Sequence, residues 1–181
     1  VKNTLLSASI AHLDEVIEQT RDLTARLSPP LLYDLGLAAA LESLGDEMFS
    51  PLSIDFILDA AMNCRLLEQE LSIMLYHMVK ELFINVLKHA RATAIQCLIT
   101  REDGFFCVAV HDDGVGFDPS QAITIRKRSF GLFSIRERLR HWGGQMAINS
   151  SAGKGTGIII RIPLKNSSEG GFICDRSDHR C

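Results

Sequence analysis

Residues 66–90 restrict the possible folds more than any other stretch, because apolar side chains recur there every three or four positions. At 100° per residue these side chains fall on one continuous face. That face comprises Leu71, Leu75, Met78, Leu82 and Val86. The pattern predicts a central amphipathic helix whose apolar side packs against another layer of the protein.

Five segments outside this helix are typical of β-strands, because they are short and rich in apolar and β-branched residues. The expected strands cover residues 52–58, 94–100, 105–110, 146–149 and 157–162. Glu102-Asp103-Gly104 predicts a hairpin turn between the second and third strands. Strands in antiparallel groups with helices between them indicate an α/β (α+β) fold. We expect a two-layer sandwich of helices on a mixed, largely antiparallel sheet.

The two ends of the chain differ from its middle. Apolar spacing over 5–27 predicts an amphipathic helix. It stops at Ser28-Pro29-Pro30, because proline lacks the amide donor that a helix needs. The polar, Gly/Ser-rich residues 166–181 predict a disordered tail. The expected organisation is a helical segment at 1–27, a globular domain at 28–164 and a tail at 165–181.

Two shorter helices are expected within the globular domain. Asp34 is expected to cap the first, which extends to about Met48, because a carboxylate at this position accepts hydrogen bonds from free backbone amides. The second covers 132–142 and ends at Gly143-Gly144, because glycine adopts the left-handed conformation that closes many helices.

Charge and cysteine content exclude several classes of protein. The 181 residues carry 19 Lys and Arg against 22 Asp and Glu, a net charge of −3, so no global positive field would hold nucleic acid or an anionic membrane. No apolar run approaches the roughly 20 residues that span a bilayer. The five cysteines form no C-x-x-C pair. This argues against a disulfide framework or structural zinc and favours a reducing, cytoplasmic location.

Polar residues on the central helix are the first candidates for chemistry. Glu81, Asn85 and Lys88 are spaced i, i+4, i+7 and fall on one stripe beside the apolar face. A carboxylate and an amide oxygen one turn apart can hold a hard cation such as Mg²⁺, and a lysine one turn on can meet the phosphates that the cation bridges. The solvated edge of a helix packed on a sheet explains the same pattern equally well.

Three glycine-containing segments are the other candidates. Asp112 ends a strand before Gly114 and Gly116, so its carboxylate could accept a hydrogen bond from an exocyclic amine such as that of adenine. Gly131 opens a helix, whose free amides can bind phosphate. Residues 153–157 (GKGTG) resemble a phosphate loop but match neither the Walker A nor the Rossmann fingerprint. Taken singly, each segment is also explained as an ordinary turn or helix start.

In this order and at this spacing, the four segments resemble the ATP-binding domain of the GHKL superfamily. They are most similar to sensor histidine kinases that partner LuxR-type response regulators. E-x-x-x-N-x-x-K-H-A on the central helix matches the N box of that subfamily, D-x-G-x-G its G1 box, and F-G-L-x-S-I-R-E-R its G2 box. The resemblance covers roughly residues 15–164 and implies the Bergerat ATP-binding fold.

The resemblance also implies residue roles, with ATP and Mg²⁺ as the bound species. Asn85 would ligate Mg²⁺, Asp112 would hold adenine, and residues 115–130 would form a lid that becomes ordered with nucleotide. The implied catalytic residues are Glu81, Asn85 and Lys88. The implied ATP-binding residues are Asn85, Lys88, His89, Asp112, Gly114, Gly116, Gly131, Leu132 and Thr156.

Partners follow from the same resemblance. Residues 1–27 would be the last helix of a dimerisation domain, so the full-length protein is expected to be a homodimer that phosphorylates a response regulator. His12 does not match the phosphoacceptor pattern, so the acceptor histidine is expected upstream of this chain. Asp113 stands where Asn is common and is expected to point towards solvent. Two alternatives stay open: a GHKL protein-serine kinase of the anti-sigma type, and a nucleotide-gated interaction module without catalysis.

Overall fold

The computed structural model describes residues 29–61, 67–119 and 130–164. This part of the chain begins with two helices, α1 at Pro30–Asp34 and α2 at Leu37–Phe49. Proline is well suited to the first position of α1, where no helical hydrogen bond is lost. The predicted helix over 5–27, most of the predicted lid and the predicted tail lie outside the described residues.

Two predicted boundaries are wrong. Asp34 is the last residue of α1 and not the cap of α2, which begins after Gly36. The φ of Gly36 is +86°, a left-handed angle that suits glycine and turns the chain between the two helices. The predicted strand at 52–58 begins later, because Ser50–Leu52 form a 3₁₀ turn, and β1 covers Asp55–Ala60.

The central helix forms as predicted, with one irregularity at its end. Helix α3 covers Gln69–Asn85 and buries the predicted apolar face, and Val86–Ala90 continue it as a π-helical turn. This turn exposes Lys88 and His89 to solvent. Turns of this kind are rare and frequently accompany functional sites.

Four strands follow β1 in the described residues: β2 at Ala94–Glu102, β3 at Phe105–Asp112, β4 at Gln145–Ser150 and β5 at Thr156–Pro163. The five strands form one sheet in the order β1-β2-β3-β5-β4. Strand β1 is parallel to β2, and every other neighbouring pair is antiparallel, so the predicted mixed sheet is confirmed. Helix α4 covers Phe130–His141, between β3 and β4.

The helices cover one face of the sheet, and the core lies between the two layers. Alternate residues of β3, such as Phe106 and Val108, are buried on this face. Phe49 of α2 and Phe83 of α3 add rings whose centroids lie 5.1 Å apart. The predicted two-layer sandwich is therefore confirmed. No helix in the described ranges is both long and apolar enough to cross a membrane.

The hairpin between β2 and β3 turns through two left-handed residues. Asp103 has a φ of +51° and Gly104 a φ of +77°, the type I′ geometry that Asp-Gly favours. A Cβ at Gly104 would meet no atom within 4 Å, so Gly104→Ala tests backbone strain alone. We expect this substitution to lower the free energy of unfolding by about 1 kcal/mol, measured by urea denaturation. An unchanged unfolding free energy would contradict the left-handed turn.

Candidate functional site

Glu81 and Asn85 lie one turn apart near the end of α3, and both are half-buried. The Asn85 Nδ2 atom is buried, with no hydrogen-bond partner among the described residues. A buried donor without an acceptor costs roughly as much free energy as a lost hydrogen bond, so native proteins contain few of them. Asn85 therefore has unused hydrogen-bonding capacity at the end of the central helix.

The side chain of Glu81 lies against the first turn of α4. A Cβ added at Gly131 would collide with Glu81 Oε1 and would lie 3.3 Å from Glu81 Cγ. Glycine thus permits the close approach of the two helices at this point. A carboxylate beside a helix N-terminus is also favourable electrostatically. Leu132, the next residue of α4, is half-buried and packs against the core.

The acidic turn, residues 112–116 at the end of β3, packs against the π-helical turn at Val86–Ala90. The Val115 N–H donates a hydrogen bond to the carbonyl oxygen of Ala90 over 2.7 Å. Gly114 is buried, and a Cβ there would collide with the same carbonyl oxygen. The structure therefore brings the D-x-G-x-G segment against the backbone that carries Lys88 and His89.

Asp112 places a carboxylate on the covered face of the sheet. The residue is 4% exposed, and the strand register pairs it with Thr156 of β5, which is 9% exposed. The Gly114 N–H donates to Asp112 Oδ1 over 3.0 Å. Burial raises the pKa of Asp112, and the backbone amides of Gly114 and Thr156 oppose this effect. A buried carboxyl group with a perturbed pKa is typical of functional sites.

Two left-handed glycines let the acidic turn approach the turn before β5. Gly116 has a φ of +59° and Gly155 a φ of +72°. A Cβ at Gly155 would collide with the carbonyl oxygen of Asp112. The Gly153 N–H also donates to the carbonyl oxygen of Val115 over 2.7 Å. The predicted D-x-G-x-G and GKGTG segments are therefore in contact.

Ser150 joins the same two turns, although no sequence pattern indicated a role for it. Its hydroxyl accepts a hydrogen bond from the Phe117 N–H over 2.9 Å and donates one to the Gly155 carbonyl over 3.0 Å. It also lies 3.0 Å from Thr156 Oγ1. A serine at a strand end carries no recognisable pattern, and the partner Phe117 is 33 positions away in sequence. Only the folded arrangement reveals the connection.

Asp113 is exposed as expected, but its carboxylate is not simply solvated. It accepts hydrogen bonds from the Thr93 N–H over 2.7 Å, the Thr93 hydroxyl over 2.6 Å and the Ala94 N–H over 2.9 Å. These bonds hold the pKa of Asp113 below its usual value, with the Thr93 hydroxyl as the largest cause. These partners could not be identified from the sequence, because they precede Asp113 by 19 and 20 residues.

The described residues contain no group of three or more His, Cys, Asp or Glu side chains suited to hold a metal ion. Glu81 and Asn85 nevertheless offer a carboxylate oxygen and an amide oxygen one turn apart, and a hard cation takes oxygen ligands of these kinds. Mg²⁺ retains several waters in proteins and takes few protein ligands beside the phosphates of a substrate. The residues present therefore suit a cation that arrives with a phosphorylated ligand.

Sequence comparison adds an independent finding. The family model described as histidine kinase-, DNA gyrase B-, and HSP90-like ATPase matches residues 70–166. The sensor histidine kinase ComP of Bacillus subtilis is 33% identical over 152 residues, which are 84% of this chain and 20% of ComP. The sensor histidine kinase MctS of Rhizobium johnstonii is 32% identical over 158 residues, 87% of this chain and 34% of MctS. The chain thus spans only 20% to 34% of these relatives.

Solved structures share the fold. The blue-light activated histidine kinase of Erythrobacter litoralis EL346 gives a TM-score of 0.59 at 23% identity, covering 71% of this chain and 42% of that chain. The catalytic domain of the histidine kinase ThkA gives 0.57 at 18% identity, covering 70% of this chain and 89% of that chain. Both likenesses agree with helices packed on one face of an open, mixed sheet.

Proposed function

Because this chain belongs to the family of histidine kinase-, DNA gyrase B-, and HSP90-like ATPases, we propose that it supplies the ATP-binding catalytic domain of a two-component sensor histidine kinase. One observation carries the proposal: a series of contacts links all four predicted segments. The central helix contacts the start of α4 where Glu81 packs against Gly131. The acidic turn contacts the end of the π-helical turn through Gly114 and Ala90, and the turn before β5 through Asp112 and Gly155. The catalytic domain would cover 28–164, preceded by the last helix of a dimerisation domain.

In this proposal, different residues of the site bind the adenine and the phosphates of ATP. The Asp112 carboxylate accepts a hydrogen bond from the adenine amine and has no donor to misplace. Lys88 and His89 face the phosphates from the exposed side of the π-helical turn. The backbone amides at Gly131 and Leu132, in the first turn of α4, donate to phosphate oxygens. Gly114, Gly116 and Thr156 complete the walls of the site.

Transfer of the γ-phosphoryl group requires positioning and charge neutralisation more than covalent chemistry. Glu81 and Asn85 would hold the cation or its water, and Mg²⁺ would supply positive charge that neutralises the phosphates. The site therefore needs no nucleophile of its own. The attacking atom would belong to a histidine of the dimerisation domain, outside this chain.

Replacing Asn85 tests the assignment of the cation. In Asn85→Ala, the amide that would ligate Mg²⁺ is lost, so we expect the strengthening of ADP binding by Mg²⁺ to fall about fivefold, the equivalent of one polar interaction of about 1 kcal/mol. Metal-free binding should survive. The measurement is calorimetric titration with ADP in Mg²⁺ and in a chelator. Asn149→Ala, which removes an exposed amide from β4, is the matched control. An unchanged dependence on Mg²⁺ would remove Asn85 from the site.

The proposed partners are a second copy of the full-length protein and a response regulator. The relatives ComP and MctS are named sensor histidine kinases, which supports a regulator as the final acceptor of the phosphoryl group. The LuxR type follows from the motif resemblance given above. A cytoplasmic location for this domain is part of the same proposal, because ATP and response regulators are found there.

The phosphorylated product distinguishes the proposed function from its alternatives. The full-length protein is incubated with ATP labelled at the γ-phosphate, and the label on the protein is tested for stability in acid. Label that acid removes indicates phosphohistidine and supports the proposal. Acid-stable label would indicate a protein-serine kinase, and nucleotide binding without any label would indicate a non-catalytic module.

A further inference from the structure

Asp113 belongs to the acidic turn of the proposed nucleotide site, and its carboxylate is hydrogen-bonded to another segment of the protein. It faces the connection between the π-helical turn and β2. There it accepts hydrogen bonds from the backbone N–H and the hydroxyl of Thr93 and from the backbone N–H of Ala94. The three distances lie between 2.6 and 2.9 Å. Hydrogen bonds to an ionised acceptor are stronger than neutral ones. We call these three hydrogen bonds, from Thr93 and Ala94 to the Asp113 carboxylate, the clamp.

The clamp joins two parts of the proposed site. Asp113 directly follows Asp112, so holding Asp113 fixes the strand end that carries the buried carboxylate. Thr93 lies three residues after Ala90, which ends the π-helical turn. Ala90 itself accepts the Val115 N–H over 2.7 Å, so the same two segments are joined a second time.

We propose that Asp113 is a positioning residue for nucleotide binding. Through Thr93 and Ala94 it holds Asp112 and the π-helical turn in the relative placement that the nucleotide requires. The inference rests on the proposed ATP-binding function and adds to it a residue that does not touch the ligand. Its negative charge is engaged by the three hydrogen bonds from Thr93 and Ala94.

Two substitutions separate the geometry of the clamp from its charge. Asp113→Asn keeps an oxygen that can accept both backbone amides, and its N–H can donate to the Thr93 hydroxyl, which is able to accept. Asp113→Ala removes all three hydrogen bonds. We expect Asp113→Asn to bind ADP within about twofold of the wild type and Asp113→Ala about tenfold more weakly, as for groups coupled through one hydrogen-bonded network.

The experiment is calorimetric titration of the whole chain with ADP, at a temperature where circular dichroism shows each variant to be fully folded. A merely structural role would lower the melting temperature and leave the affinity of the folded protein unchanged. Thr93→Val removes the hydroxyl alone and should give a smaller loss, with no further loss when added to Asp113→Ala. Asp59→Ala removes an exposed carboxylate from β1 and is the control for charge.

Each outcome bears on the proposal. A folded Asp113→Ala variant with wild-type affinity overturns it, and so does an equal loss in Asp113→Asn, because charge and not geometry would then be the cause. If Asp113→Ala does not fold, Thr93→Val decides, and unchanged affinity in that variant overturns the proposal. A wild-type chain that binds no ADP refutes the ATP-binding function itself, and the role of Asp113 with it.

Discussion

Asp112→Asn is expected to weaken ADP binding about ten- to a hundredfold, because a buried charge-assisted hydrogen bond is worth about 1.5–3 kcal/mol. The adenine amine is a donor, and a carboxylate can only accept. The amide of asparagine can present its own donor to the ligand and leave both groups unpaired. The burial of Asp112, which is 4% exposed, keeps water from replacing the lost interaction.

The same substitution should not lower the stability of the nucleotide-free protein. Burial raises the pKa of Asp112 above its value in the unfolded chain, so the contribution of this group to stability is lost as the pH rises through the folded-state pKa. Asparagine carries no charge to bury, and its Oδ1 can still accept the Gly114 N–H. At pH 7 we therefore expect the melting temperature of the variant to equal or slightly exceed that of the wild type.

Titration calorimetry with ADP and thermal denaturation followed by circular dichroism measure these two effects separately. Asp59→Asn, on the exposed surface of β1, removes the same charge without approaching the site and should change neither quantity. Wild-type affinity in a folded Asp112→Asn variant would remove the proposed adenine contact. If Asp113→Asn proved more damaging than Asp112→Asn, the contact would have to be reassigned to another residue.

Gly155→Ala is expected to lower the free energy of unfolding by about 2–5 kcal/mol, the sum of left-handed backbone strain and overpacking. The φ of Gly155 is +72°, and an added Cβ would collide with the Asp112 carbonyl oxygen and lie 3.1 Å from Asp113 Cα. Both neighbours are backbone atoms of the acidic turn, so no side-chain rotation relieves the collision. ADP binding should fall with stability, because the turn that carries Asp112 has to move.

The matched control is Gly153→Ala, two residues earlier in the same turn. Gly153 has a similar φ of +76°, but a Cβ there would meet nothing within 4 Å. We expect this variant to lose only about 1 kcal/mol from backbone strain and to bind ADP normally. Urea denaturation and ADP titration of both variants isolate the steric contact. Equal losses in the two variants would contradict the packing of the two turns.

Much of the fold could be predicted from the sequence because its signals are local. The apolar spacing of α3 and the Asp103-Gly104 turn each specify structure within a few residues, and their order indicated the two-layer sandwich. The π-helical turn at Val86–Ala90 was not predicted, because its sequence continues the helical pattern. The mistaken cap at Asp34 shows the limit of such signals, since the left-handed Gly36 decides where α2 begins.

The site was less predictable because its connections join distant parts of the chain. Motif spacing selected Asp112 and Thr156, and the strand register then placed them directly opposite each other. The roles of Ser150, Asp113 and Thr93 depend on hydrogen bonds between segments that meet only in the folded chain. No local pattern marks such residues, so the hydrogen bonds that position the site had to be read from the structure.

Calorimetric titration of the folded chain with ADP in the presence of Mg²⁺ is the decisive test of the proposed nucleotide site. We expect one nucleotide to bind per chain, with an affinity that falls when Mg²⁺ is removed and falls about ten- to a hundredfold in Asp112→Asn. A chain that is folded by circular dichroism but binds neither ADP nor ATP would contradict it.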